Sequence, residues 1–328
     1  MLISCSIMLT NFVYSQQKLK NVKNNELKPC LGKKGSSIWI HIKDVTDEEI
    51  VFLKEKFNLH PTTIEDIFSQ QTRAKYEEFE DHTVVIFKGI SEIKENSIET
   101  YNLSLIIGEN FLITVNGNKN EVIEDLCKNY KRVENLLKRG KCYIAHHILD
   151  KEVDKYLRIK TELGENLKQI EREFLEKQDK ETLKKIFSIE LNFLELRQLS
   201  ESITDLCLNL SKPADNYINN DLIPYFRDIY DHAFKTTEGY KTMLGRMNGM
   251  KNMYASIASI KTNEVMRSLT IIMALMMPLT VITGFYGMNI PLPYQNNIYS
   301  QLYLFLLMFL SSILMIVLSR KKGWISRE

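Results

Sequence analysis

The sequence predicts an α+β membrane protein: an N-terminal cytoplasmic α/β domain, a long helical stalk and two C-terminal transmembrane helices. Three observations lead there. From Ser268 to Ser319 the chain runs for 52 residues without Asp, Glu, Lys, Arg or His, so all 43 basic and 41 acidic residues lie elsewhere. That charge-free stretch holds two apolar runs of the roughly 20 residues a spanning helix needs. Upstream, strand-like and helix-like segments alternate to about residue 130, and purely helical periodicity follows.

The 328-residue chain has a formal net charge of +2, which gives no sign of nucleic acid as a partner. Ordinary apolar content, with 13 Gly and 7 Pro, excludes collagen-like and disordered classes. Cys5, Cys30, Cys127, Cys142 and Cys207 are odd in number, far apart and form no CxxC. They fit reduced cytosolic thiols better than a disulfide framework or a zinc site.

The α/β domain is expected over residues 1–142. Its opening, MLISCSIMLTNFVYSQQ, reads as an ordinary strand, because it lacks a basic flank and Asn11 interrupts the apolar run. IWIHI (38–42), HTVVIFKGI (82–90), YNLSLIIGE (101–109) and NFLITVNG (110–117) read as strands, rich in β-branched and aromatic residues. TDEEIVFLKEKFN begins with Thr46 and has Glu49 three residues on, a capping box opening a helix. HPTTIEDIFSQ reads as a second, short helix.

Residues 143–220 read as charged cytoplasmic helices. Leu157, Leu163, Leu167, Ile170 and Phe174 keep helical spacing; after a polar break near 178–182, Ile186, Leu191, Leu194, Leu196 and Leu206 continue it. An antiparallel pair ending at Ser211-Lys212-Pro213 is the expectation. A third helix starts near Asp221, with Pro224 in its first turn, and meets no break before Phe285. Its residues 221–267 form the cytoplasmic stalk. At 1.5 Å per residue the whole helix is a rod of roughly 90 Å. So long a helix, only partly apolar outside the membrane, needs support from the two preceding helices or from other copies.

The membrane part divides into a first spanning helix (268–289), an external loop (290–297), a second spanning helix (298–319) and a basic tail (320–328). Gly287, Pro291 and Pro293 supply turn chemistry. Lys251, Lys261 and Arg267 precede the first helix, Arg320, Lys321, Lys322 and Arg327 follow the second, and the loop has no basic residue. The positive-inside rule places both termini in the cytoplasm. Tyr286, Tyr294, Tyr299, Tyr303 and Trp324 fall where aromatic belts lie, and Pro278 bends the first helix.

One face of the rod is uncharged: Asn252, Ser259, Asn263, Met266, Met273, Met277, Thr280 and Gly284 recur at helical spacing. A wall around a central water path would use such a face, and so would helix-on-helix packing, which favours Gly, Thr and Met-sized contacts in membranes. The stripe alone fits either.

The tetrapeptide YGMN at 286–289, closing the first of two C-terminal spanning helices, resembles the signature of the CorA metal ion transporter family. TNEVM (262–266), LTII (269–272) and MPLT (277–280) are similar to that family's pore helix. PYFRDIYDH (224–232) is similar to the start of its stalk, and HPTTIEDI (60–67) to its sensor segment. The likeness runs from about Ile38 to Lys322. It implies a funnel-shaped homopentamer, multi-pass in the cell membrane, that takes up Mg2+, with Co2+ or Ni2+ as further ions, under gating by intracellular Mg2+ and with no organic cofactor. It implies that Gly287, Met288 and Asn289 form the external selectivity filter. Asn263, Met266, Leu269, Met277 and Thr280 would line the pore, with Met266, Leu269 and Met277 as its apolar gate; Met273 and Gly284 share that face. Asp66 of one subunit and Asp228 of its neighbour would bind regulatory Mg2+; without the resemblance they read as surface acids. The external loop departs from the family by having no acid, and residue 252 is Asn where some members have one.

Enzyme motifs of the GxxxxGK[ST], HExxH and GxSxG types are absent, and His146 and His147, being adjacent, point to different sides of a helix and read as surface residues. No enzymatic activity is expected. A ZntB-type proton-coupled Zn2+ transporter and a non-transporting membrane scaffold are the alternative functions.

Overall fold

A computed structural model of the protein describes residues 9–22, 30–31, 35–43, 47–69, 72–94, 97–116, 120–213, 217–289 and 299–321. Thr46, the external loop 290–297, Cys5 and Trp324 lie outside them. The chain forms two units, residues 1–250 and 251–328.

The first unit is built on a seven-stranded sheet in the order β2-β1-β3-β7-β6-β5-β4. Its strands are β1 (Leu9–Ser15), β2 (Lys18–Asn21), β3 (Ser37–Lys43), β4 (Lys75–Glu78), β5 (His82–Ile93), β6 (Ile98–Gly108) and β7 (Phe111–Asn116). β3 and β7 pair in parallel, Ile38 opposite Phe111 through to Lys43 opposite Asn116, and the other pairs are antiparallel. The four central strands are buried almost continuously, as in the run His82–Ile90, because helices cover both faces. On one face Ile38, Ile40, Ile42, Val84, Ile86, Ile106 and Ile113 meet Leu53 and Phe57 of α1 (Asp47–Phe57) and Ile67 of α2 (Pro61–Phe68). Against the other pack α4 (Tyr130–Arg139), α5 (Lys141–Glu176) and α6 (Lys180–Leu210), with α3 (Glu121–Lys128) lying on α4 and α5. There the Trp39 indole donates to Thr114 Oγ1 at 3.1 Å, and Phe87 meets Tyr156 of α5 edge-on at 6.2 Å. The turn from α4 into α5 is Gly140 at φ +132°, a conformation other residues seldom adopt.

α5 is fixed to the sheet by a buried polar knot. Glu152, 0% exposed, accepts from Tyr101 Oη at 2.7 Å, Asn120 Nδ2 at 2.8 Å and Lys155 Nζ at 2.8 Å. Asn120 also caps α3, accepting from the Ile123 amide at 3.1 Å. Burial and the neighbouring Glu152 charge push the Tyr101 phenol far above its usual range, so it stays a donor. Removing Glu152 alone takes an acceptor from three polar groups at once, which is why such knots resist piecemeal substitution.

The last element of this unit is the start of α7 (Ile223–Tyr286), preceded by the 3₁₀ turn Asn220–Leu222. Its residues up to Met250 pack on α5 and α6. Tyr240 donates to the Tyr156 carbonyl at 3.4 Å and meets Phe193 edge-on at 6.2 Å, while the Thr204 and Thr237 hydroxyls lie 2.9 Å apart. Gly164 leaves room for the Met243 methyl, which a Cβ there would meet at 2.7 Å. His146 is half-buried, 5.5 Å from the Tyr225 ring and 5.7 Å from Phe226, so it is an interface residue between α5 and α7 and not the surface histidine the sequence suggested.

His82 opens β5 with 3% exposure, stacked on Phe79 at 5.0 Å, and neither ring nitrogen has a hydrogen-bond partner among the described residues. Burial holds its imidazole below the ordinary value near 6.5, with Asp81 pulling the other way. The unfolded chain takes up a proton as pH falls through about 6.5 that the folded chain refuses, so stability drops as the solution is acidified. His146 and His147, also lowered by burial, act in the same direction. His82→Phe keeps the stack and removes two unsatisfied atoms. It is expected to add about 1 kcal/mol of stability and to reduce the loss between about pH 7 and 5.5, in thermal unfolding of the purified full-length chain.

Candidate ion pathway and cation-binding acids

The second unit holds α7 from Lys251 onward and α8 (Ser300–Lys321). Both carry windows apolar enough to cross a membrane, with mean hydropathy 1.9 and 2.5, and 0% and 6% of those windows is covered by the chain itself. The cover that exists is one-sided. Ile271, Ala274, Leu275, Pro278, Leu279 and Ile282 are half-buried, as are Leu304, Met308, Ser311, Ser312 and Met315 on α8.

The sequence-derived stripe occupies the other side of α7. Asn263, Met266, Leu269, Met273, Met277, Thr280 and Gly284 are all exposed, Met266 at 56% and Met277 at 68%. At 3.6 residues per turn their mean direction is about 155° from that of the half-buried set. Among the described residues of one chain, nothing covers this face.

Three threonines on this stretch of α7, only Thr280 of them on the stripe, share one arrangement. Thr280 Oγ1 donates to the Met276 carbonyl at 2.9 Å, and below it Thr270 donates to Met266 at 2.8 Å. Thr283 does the same to Leu279 at 2.9 Å. A hydroxyl has one proton and two lone pairs. With the proton returned to the backbone, each threonine offers its surroundings only an acceptor. Thr283 Oγ1 also lies 3.2 Å from the Thr280 carbonyl, and one turn below, Pro278 lacks the amide that would bond the Ala274 carbonyl.

α7 ends at Tyr286, and Gly287, Met288 and Asn289 continue as an exposed turn. The Gly287 amide still donates to the Thr283 carbonyl at 2.9 Å and the Met288 amide to Phe285 at 3.4 Å, so the turn is strapped to the last helical residues. A Cβ on residue 287 would stand 3.0 Å from the Thr283 oxygen, tighter than ordinary contact, which suits Gly at this position.

The two predicted sensor acids lie apart within one chain. Asp66, on α2, is engaged by Lys75 Nζ and by Thr72 Oγ1 at 3.4 Å. Asp228 is exposed on the first turns of α7. Among the described residues a different set converges: Asp150 and Asp154 of α5 and His232 of α7 each place a ligand atom within 4.8 Å of the others. Lys151 already sits on these carboxylates, 2.7 Å from Asp154 Oδ2 and 3.5 Å from Asp150 Oδ2. Carboxylate oxygens suit Mg2+, and adding an imidazole widens the range toward Co2+ and Ni2+.

A family model described as CorA-like Mg2+ transporter protein matches residues 34–321. The chain belongs to this family. CorA proteins among its relatives include the cobalt/magnesium transport protein CorA of Thermotoga maritima, 28% identical over 318 residues that cover 95% of this chain and 91% of that protein. The CorA of Methanocaldococcus jannaschii is 26% identical over 291 residues, 88% of this chain and 91% of that one. The complete structure of the CorA magnesium transporter from the latter organism superposes with a TM-score of 0.77 at 23% identity, covering 98% of this chain and 99% of that structure. A ZntB cytoplasmic domain from Vibrio parahaemolyticus shares the fold more loosely, with a TM-score of 0.59 at 11% identity. CorA transporters are membrane proteins, and the two uncovered apolar helices agree with that.

Sequence reasoning missed Asp150, Asp154 and His232. The signal available was the i, i+4 spacing of the two acids, which puts them on one face of a helix. His232 joins them only once α7 packs on α5.

Proposed function

We propose that this CorA-family chain forms a channel for Mg2+ uptake, with Co2+ or Ni2+ as further ions, and that intracellular Mg2+ closes it. The observation that carries this is the uncharged stripe Asn263–Gly284, which lies opposite the half-covered face of α7 and leads to Asn289. The CorA relatives named for magnesium and cobalt transport support the choice of ion. Mg2+ surrenders its waters reluctantly, so a filter for it should offer neutral oxygens to the hydration shell instead of carboxylates to the bare ion. The Asn289 amide and the neighbouring backbone carbonyls have that chemistry.

Around a symmetry axis, five copies of the stripe would face one another as a homopentameric funnel. Met266, Leu269 and Met277 would hold the path shut by dewetting. With the basic flanks on the cytoplasmic side, the membrane potential drives entry with ~2.3 kcal/mol per charge per 100 mV, doubled for a divalent ion. Asp66 and the Asp228 of a neighbouring subunit repel until a cation joins them, so bound Mg2+ would favour the closed ring and its loss would loosen it.

In vesicles loaded with an Mg2+-sensitive dye, the purified chain is expected to pass Mg2+ down its gradient, with block by cobalt hexaammine, an exchange-inert mimic of the hydrated ion. Zn2+ uptake requiring a proton gradient would instead mark a ZntB-type transporter, and no divalent flux would leave a scaffold. Asn289→Ala should abolish Mg2+ uptake while the oligomer persists in size-exclusion chromatography; uptake at the parent rate would remove Asn289 from the filter. Asp66→Asn combined with Asp228→Asn should raise the Mg2+ needed to protect the protein from protease by at least about tenfold, and an unchanged requirement would place the sensor elsewhere.

A further inference from the structure

Asp66 carries a resident counter-ion. Lys75, at the start of β4, reaches from the sheet to α2 and bonds Asp66 Oδ2, while the same ammonium lies 3.0 Å from Glu77 Oε1. The lysine and Asp66 side chains are each 24% exposed, so the contact is partly withdrawn from water. Register fixes the reach: Lys75 stands opposite Ile86 of the central strand β5. Burial works against the Lys75 charge, yet the hydrogen bonds and charges of Asp66 and Glu77 outweigh it and raise the amine above its ordinary value. Lys75 is therefore a cation throughout the physiological range.

An ammonium and a divalent ion exclude each other at one carboxylate, because like charges at contact repel. Glu77 gives the displaced ammonium somewhere to go. A Lys head is a compact point charge on a flexible stem, so it can leave Asp66 and stay paired with Glu77 without stranding a charge. We propose that Lys75 is a tethered competitor for the regulatory cation, which must evict it from Asp66 before binding, and that Lys75 thereby sets the Mg2+ concentration at which the sensor fills. The proposal rests on Asp66 being a sensor ligand. The candidate acids on α5 repeat the pattern, with Lys151 held between Asp150 and Asp154.

The test is limited proteolysis of the purified full-length protein against added MgCl2 at constant ionic strength. Lys75→Met is expected to lower the half-protecting Mg2+ concentration about tenfold, equivalent to ~1.4 kcal/mol. Lys75→Arg should stay near the parent, and Glu77→Gln, which removes the alternative berth, should raise the midpoint. Lys43→Met discards an equal charge from the ion pair with Glu124 and should leave the midpoint in place. A Lys75→Met midpoint that is unchanged or higher, or a Lys43→Met shift of the same size, overturns the competitor. Asp66→Asn separates the two layers. If it leaves the parent midpoint untouched, the sensor assignment fails and takes the competitor with it. If it abolishes protection while Lys75→Met shifts nothing, the sensor stands and only the role of Lys75 falls.

Discussion

A lipid interior supplies no hydrogen bonds and no counter-ions, and the chain meets that constraint with two helices that satisfy their own backbones and carry no charge over the span. The charge distribution follows from it, since every Lys, Arg, Asp and Glu lies outside residues 268–319. The exposure pattern follows too. Side chains such as Met277 and Leu302 are about 70% uncovered in one chain, which no water-soluble protein of this size tolerates along two whole helices. Lipid can satisfy most of that surface. It has no use for Thr280 or Asn263, exposed on α7, or for Asn289, exposed in the turn that follows the helix.

In the first unit the same economy appears in reverse: polar groups are buried, but in sets. Glu152 is neutralised by Lys155 and held by Tyr101 and Asn120, so one knot joins β6, the cap of α3 and the body of α5. Asp150 and Asp154 flank Glu152 on α5. Their position opposite His232 of α7 therefore depends on a contact made on the far side of the helix. His82 differs, a buried imidazole with no partner for either nitrogen among the described residues, and together with His146 and His147 it makes the fold sensitive to acid.

Legibility in the sequence tracked how much each element depends on its own residues. The long helix could be read because no proline intervenes between Pro224 and Pro278 and because the apolar stretch overruns any soluble helix. β3, β5, β6 and β7 could be read because burial on both faces demands unbroken apolar runs. β2 (KLKN) and β4 (KYEE) could not: as edge strands they are four residues long and polar, and their partners, not their composition, make them strands. α3 and α4 are eight and ten residues long and highly charged, and their caps, Asn120 and Asn129, look like any loop asparagine. At the sites, the stripe on α7 was visible as spacing, whereas Lys75 and Asp66 are nine residues apart on different elements and meet only through the sheet.

Thr270, Thr280 and Thr283 of α7 turn lone pairs outward without bearing any charge themselves. Between Asn263 and Asn289 their hydroxyl protons are spent on carbonyls one turn back, and the helix retains its amide protons. A chloride beside these three hydroxyls would find no proton to bind, whereas water around a cation, with its hydrogens turned outward, would find lone pairs to touch. Such a surface holds no fixed countercharge, so raising the salt concentration, which screens acidic rings, leaves its oxygens unchanged.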